Sequence, residues 1–291
     1  MGDRDLIVRV AAAQASPVWM NREASLEKAI ALIDKAGAQG ANLIAFGESW
    51  LPGFPFWIWL GTPRWGSDYF VRLHQNSVEA DGTEISAIGD AARRNNIEVV
   101  MGATERDGGS LYCTQFFISS SGSLRGRHRK LKPTHVERTI WGEGDGSDLI
   151  VLDTPVGRVG GLNCWEHLQF VLAVTSVVDD SVIEELCTTE EQRRLLKRGG
   201  GTTTIFGPNG ATIAGPLGAD EEGLLIADLD LSEIRRAKQA ADPTGHYARA
   251  DATRLLLNPQ PRNPVERDQS KATEFVTTEE LSVPAPNEFD S

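Results

Sequence analysis

The chain is short of cysteine, with three in 291 residues. Cys113, Cys164 and Cys187 are odd in number and form no CxxC pair, which excludes a disulfide framework and a zinc knuckle and fits reduced thiols. It is also short of positive charge. Lys and Arg total 29 against 41 Asp and Glu, and the net charge of −12 repels phosphate backbones and anionic membrane surfaces. No apolar run approaches the roughly 20 residues that span a bilayer, and MGDRDLIVRVAAAQ lacks the order of a signal peptide. A soluble, cytoplasmic protein without nucleic-acid or membrane partners is expected. What is present is ordinary: 40% apolar and 24% charged residues exclude wholesale disorder and collagen-like repeats. The length allows one large domain or two modest ones.

The order of elements is legible in the first half. Leu6 to Gln14 suits a buried strand, Asn21 caps a helix carrying Leu26, Ile30 and Ile33 that Gly37 and Gly40 end, and Asn42 to Phe46 is the next strand. Thr83 is expected to cap a second helix through Ile85, Ile88 and Ala92, followed by strands at Ile97–Ala103 and Leu111–Ile118 around an Asp107-Gly108-Gly109 turn. Alternating strands and helices predict an α/β fold. The second half is richer in strands: Val156–Asn163, Phe170–Val178, Thr202–Phe206, Ala211–Ala214 and Leu224–Asp230, with Pro208-Asn209-Gly210 as a hairpin turn. From about Asn258 the chain is Pro-rich, acidic and aperiodic, which predicts a disordered tail over 258–291.

Three segments carry possible chemistry. In VGGLNCWEH an apolar strand ends at Cys164, where a nucleophile can stand above a sheet edge near backbone N–H donors. A lone cysteine is more often a small buried packing residue, and only its neighbours change that weight. In FGESW, Glu48 directly follows a core strand, at the strand end where α/β sheets bind ligands. An ordinary loop glutamate is the bland alternative, but the aromatic, proline-rich LPGFPFWIW that follows fits an apolar pocket wall better. The basic run RGRHRKLKPT reads alone as a solvated face. It can equally aim one lysine inward, although in an extended segment Lys130 and Lys132 point to the same face. The glycines of WGEGDG resemble a phosphate loop only weakly.

Taken together, Glu48 in FGESWLPGFPFW, Lys130 in HRKLKPTHVERTIWGEGDGS and Cys164 in GGLNCWEH resemble the Glu, Lys and Cys segments of the nitrilase branch of the carbon–nitrogen hydrolase superfamily. The resemblance runs from about Val8 to about Asp251. It implies a four-layer α-β-β-α sandwich, Glu48 as general base, Lys130 as stabiliser of the tetrahedral intermediate and Cys164 as nucleophile. Glu137 and the N–H of Trp165 would act in support, and Phe54, Phe56, Trp57, Trp59 and His135 would line an apolar pocket. It implies no metal or organic cofactor, a small nitrile or amide as substrate, and homo-oligomers built through helices flanking the cysteine.

The chain departs from the family chiefly in one place. Members continue after the CWEHLQ-like segment through a helix, a strand and a helix before the strand resembling Phe170-Val171-Leu172, whereas here only Glu166 to Gln169 intervene. A 1–257 hydrolase domain shortened between 169 and 170 is therefore expected, its second half lacking a strand and helices and its oligomer contact weakened. A parallel crossover needs a dozen or more residues, so the strands on either side of Cys164–Gln169 cannot be parallel neighbours in one sheet. Cys113 stands where members more often carry Asn and reads as structural; Cys187 reads as a helix packing residue. The leading reading is conversion of a nitrile to acid and ammonia. Amidase or nitrile hydratase activity on the same scaffold and a truncated, non-catalytic relative are the alternatives.

Overall fold

The computed structural model describes residues 7–163, 171–240 and 259–261. The chain divides into a unit of residues 1–260, which holds every described element, and a unit of residues 261–291, of which only Pro261 is described. Strands β1 (Ile7–Gln14) and β2 (Leu43–Phe46) flank helix α1 (Arg22–Ala38). Helices α2 (Ser67–Asn76) and α3 (Thr83–Asn95) precede β3 (Glu98–Asp107), β4 (Ser110–Ile118) and β5 (Leu124–Arg129). Short strands follow: β6 (Val151–Thr154), β7 (Gly157–Gly160) and β8 (Val171–Ala173). Helices α4 (Asp180–Leu186) and α5 (Glu190–Leu195) lead to β9 (Thr204–Phe206), β10 (Thr212–Ala214), β11 (Gly223–Asp230) and α6 (Ser232–Ala240).

The main sheet has the order β11-β1-β2-β3-β4-β5, with β1, β2 and β3 parallel and the remaining pairs antiparallel. Its strands β1 and β2 are largely apolar and buried on both sides because both faces are covered. Ala11, Ala13 and Ile44 pack with Ile33 of α1 and Ile88 of α3. On the other face Val8, Val10, Ala12 and Leu43 pack with Ile205, and Val159 and Leu172 join them from the second layer of strands. The architecture is an α-β-β-α sandwich. Among the described residues the second layer is in two pieces, β6-β7 and β10-β9-β8. Strands β7 and β8, on either side of the expected break, lie in different sheets.

Several boundaries differ from expectation for local reasons. Gly82, not Thr83, takes the extended cap position of α3, and Thr83 is its first helical residue. Gly37 lies inside α1, which ends at Ala38, while Gly40 adopts a left-handed φ of 76° beyond it. Strand β3 continues past Ala103 because its polar end pairs with β4 through the Asp107-Gly108-Gly109 turn. Val156 sits in a turn: its N–H bonds to Thr154 Oγ1, and Gly157 has φ 106°, so the strand begins only at Gly157 and pairs with β6, which was not anticipated. The expected Phe170–Val178 strand is described only as Val171–Ala173, after which Thr175 donates its backbone N–H to Thr203 Oγ1 and shares a hydrogen bond between the two hydroxyls. The expected tail lies outside the described residues apart from 259–261.

Candidate active site

Glu48 is delivered by a loop fastened to β3. Leu51 N–H donates to Gly102 O at 3.1 Å, Thr104 N–H donates to Leu51 O at 2.8 Å, and the Ser49 and Thr104 hydroxyls share a 2.9 Å hydrogen bond. A Cβ at Gly102 would lie 1.9 Å from Gly47 O, so this close approach requires glycine. Ser49 has φ 49°, a left-handed conformation rare for a residue with a side chain and one the surrounding bonds must hold in place. Behind the loop Trp50, fully buried, donates its indole N–H to Ala15 O at 2.7 Å.

Lys130 follows β5 directly and is buried. Its N–H donates to Cys113 O, and its carbonyl accepts from Gly144 N–H, both at 2.8 Å. A Cβ on Gly144 would fall 2.2 Å from Arg129 O, so this glycine of WGEGDG serves to clamp the segment. The ammonium is held between two carboxylates, donating to Glu48 Oε1 at 2.9 Å and to Glu137 Oε2 at 2.7 Å. Glu137 is placed by a capping box: it lies in the 3-10 turn His135–Thr139, and its side chain also accepts from Thr134 N–H at 2.7 Å. Lys132 points outward, with 62% of its side chain exposed and paired to Glu143. The expected common face of Lys130 and Lys132 therefore fails, because the extended strand ends at Arg129 and alternation ends with it.

These contacts set the charge states. Burial raises the Glu48 carboxyl above its ordinary value, more than the neighbouring Lys130 charge lowers it. Burial alone would lower the Lys130 pKa, but the Glu48 charge and the hydrogen bonds to Glu137 and Glu48 reverse this and raise it, so Lys130 stays an ammonium. Cys113 also belongs to the cluster. It is buried on β4 beside Glu48, and burial with the Glu48 charge pushes its thiol well above the usual range. Its place opposite Lys130 in the β4–β5 pairing was not legible from sequence, where it read as structural only.

Cys164 and Trp165 lie outside the described residues. The approach to them is described: Gln115 Nε2 donates to Leu162 O at 3.1 Å, tying the segment before Cys164 to the β4 face that carries Cys113. Of the expected pocket residues, Phe54 packs against Phe56 and Trp141. Trp57 is buried among Trp19 and Tyr69. Trp59, half exposed, stacks on His135 with ring centroids 5.9 Å apart. Cys187 is buried at the end of α4, in keeping with a packing role. No group of metal-ligating side chains occurs among the described residues, and no helix among them is long and apolar enough to cross a membrane.

Comparison with known proteins agrees with this geometry. The sequence model of the carbon-nitrogen hydrolase family matches residues 9–174 and 168–239, two matches that meet beside Cys164. An aliphatic nitrilase of Rhodococcus rhodochrous is 42% identical over 308 residues, covering 88% of this chain and 84% of the relative. A nitrilase of Pseudomonas syringae pv. syringae is 41% identical over 304 residues, covering 87% and 90%. Each alignment exceeds by roughly fifty positions the 88% or 87% of the chain that it covers, so about that many aligned positions have no counterpart in it. The crystal structure of Saccharomyces cerevisiae Nit3, a member of branch 10 of the nitrilase superfamily, matches in fold with a TM-score of 0.62 at 16% identity, over 85% of this chain and 100% of that one. A paired match across the chain and two relatives above 40% identity lead to one assignment: the chain belongs to the carbon-nitrogen hydrolase family, in its nitrilase branch.

Proposed function

We propose that this chain hydrolyses an organic nitrile to the carboxylic acid and ammonia, with Cys164 as nucleophile, Glu48 as general base and Lys130 as the fixed positive charge. The Lys130 ammonium, buried between Glu48 and Glu137, carries the reading. Such a charge, desolvated and held without further reorganisation, suits a site where negative charge develops at a substrate atom. Glu48 removes the Cys164 thiol proton, the thiolate adds to the nitrile carbon, and the nitrogen takes the proton to give a thioimidate. Water adds to the same carbon, the C–N bond breaks and ammonia leaves, and a thioester remains. A second water, deprotonated at Glu48, breaks the C–S bond and releases the acid and the thiol. Lys130 and the N–H of Trp165 hold the charge at each tetrahedral stage, and Glu137 keeps Lys130 in place.

Phe54, Trp57, Trp59 and His135 favour an apolar group on the substrate. The hydrolase domain spans 1–257 and is shortened between 169 and 170, followed by a tail over 258–291; the two-part family match and the overlong alignments support the shortening. A cytoplasmic protein with a weakened homo-oligomer contact completes the reading. The test is ammonia release from matched panels of nitriles and amides by folded protein. Turnover of nitriles with the acid as product supports it, release only from amides replaces it with amidase activity, and a cooperative fold without turnover of either favours a non-catalytic relative.

A further inference from the structure

On the face of the main sheet opposite the site lies a buried carboxylate that the proposed chemistry does not use. Glu105, on β3, is fully buried and accepts from Thr114 Oγ1 of β4 at 2.8 Å. It also binds two guanidinium groups of β5: Arg129 through Nε at 2.9 Å and Nη2 at 2.8 Å, and Arg127 through Nη1. Arg129 Nη2 reaches Asp107 at 2.7 Å as well, and its guanidinium lies 3.8 Å over the Tyr112 ring. One carboxylate therefore ties three strands together, and the fork of Arg129 is fixed in its plane and covered on one side.

The position of this network gives it meaning. Among the described residues strand β5 is the edge of the sheet and pairs only with β4, across an irregular register near Phe117. Edge strands fray more readily than inner ones. Lys130 is the first residue beyond that edge. Thr104, Cys113 and Lys130 align across β3, β4 and the end of β5 on the site face, and Glu105, Thr114 and Arg129 alternate with them on the other.

We propose that the Glu105–Arg129 pair is a positioning latch that holds the end of β5, and thereby sets Lys130 between Glu48 and Glu137. The latch rests on the hydrolase reading for its purpose but not for its detection. Burial alone would lower the Arg129 pKa, but the bonds to Glu105 and Asp107 raise it, so the latch stays charged across the working range.

The test measures the rate at which an amine-reactive ester labels Lys130 in the intact chain, with exposed Lys132 as internal reference. Arg129→Met is expected to raise Lys130 labelling by about tenfold or more, the scale of one lost charge-assisted hydrogen bond. Arg129→Lys should restore part of the protection, and Tyr112→Leu should give a smaller rise. Ile33→Ala, in the helix-facing core, should lower the melting temperature without changing Lys130 labelling. In a nitrile assay Arg129→Met should lower kcat and leave KM in place. Unchanged labelling in Arg129→Met, or an equal rise in Ile33→Ala, overturns the latch; if Arg129→Met does not fold, Glu105→Gln and Tyr112→Leu decide by the same readout. If the wild-type chain turns over no nitrile while labelling responds as expected, the latch stands and the hydrolase reading falls.

Discussion

Strands β1 to β4 are mostly buried, run up to 10 residues and are packed on both faces, whereas among the described residues β6 to β10 are three or four residues long, lie in two separate pieces and, β9 apart, are partly exposed. Val151 is 68% and Ile213 43% exposed in the second region, while Ile44 and Met101 are fully buried in the first. The electrostatic part of the site is attached to the first region: the Glu48 loop is bonded to β3 and Lys130 to β4, and Lys130 in turn holds Glu137. The proposed nucleophile, Cys164, follows in sequence the last described residue after β7, in the second region. The charge geometry of Glu48, Lys130 and Glu137 is thus complete in the described residues without any contribution from the short strands of the second region.

The largest expected effects test whether the proposed nucleophile works at all. Cys164→Ala should abolish ammonia release with little change in melting temperature, and an alkylating reagent should label Cys164 ahead of buried Cys113 and Cys187. Labelling of Cys187 with Cys164 untouched would move the nucleophile elsewhere. Lys130→Met should lower turnover about a hundredfold or more, as when an oxyanion donor is removed. A larger loss from Lys132→Met would contradict the inward placement of Lys130.

The difference between the regions can also be narrowed by construction. Placing the corresponding segment of the Rhodococcus nitrilase between Gln169 and Phe170 should raise nitrile turnover and replace irregular aggregates by a defined assembly, read by light scattering. The unaltered chain is expected to show low activity and abnormal oligomers, because open strand edges and uncovered apolar surface invite association. Equal activity and assembly with and without the segment would show that the second region is sufficient as it stands.

A smaller effect is a shift in pH dependence. In its proposed role Glu48 must be ionised to take a proton, so the rate should fall as the pH drops through its pKa, and burial places that limb above the ordinary carboxylate value. In Lys130→Met the charge that lowers Glu48 is gone, and the residual activity should fall off at a still higher pH. The sign for stability is the reverse. A carboxyl whose pKa rises on folding contributes stability at low pH and loses it as the pH climbs through the folded value. An acid limb that stays in place in Lys130→Met would separate the two groups.

Much of the first region was legible because period and position are local signals. The apolar runs of β1 and β2, the Asn21 cap and the Asp107-Gly108-Gly109 turn all lie within a few residues of what they determine. The fold and the Glu48, Lys130 and Glu137 assignments came from family resemblance, and the structure brings these three together. Other features depend on partners far along the chain. That Lys130 turns in while Lys132 turns out depends on where β5 stops, and Gly144 and Cys113 both take part in that placement. Glu105 carried no local sign of its three-strand role, since its partners are 9, 22 and 24 residues away.

The smallest expected effect compares the two regions by packing alone. Ile44, on β2, is fully buried beneath α1 and α3, and truncating such a side chain leaves a cavity that the surrounding core cannot close. Ile44→Ala should therefore cost about 2–5 kcal/mol in urea denaturation. Leu172, on three-residue β8, is only partly buried against the inner core, so less apolar area returns to water on truncation. Leu172→Ala should cost under about 2 kcal/mol, and amides of β8 and β9 should exchange with solvent faster than those of β1 to β3. The inserted segment should raise the cost of Leu172→Ala toward that of Ile44→Ala, since it gives β8 a neighbour and the side chain a closed site. If the two truncations already cost the same in the unaltered chain, the second region is as well packed as the first, and the expected loss of activity has no structural basis.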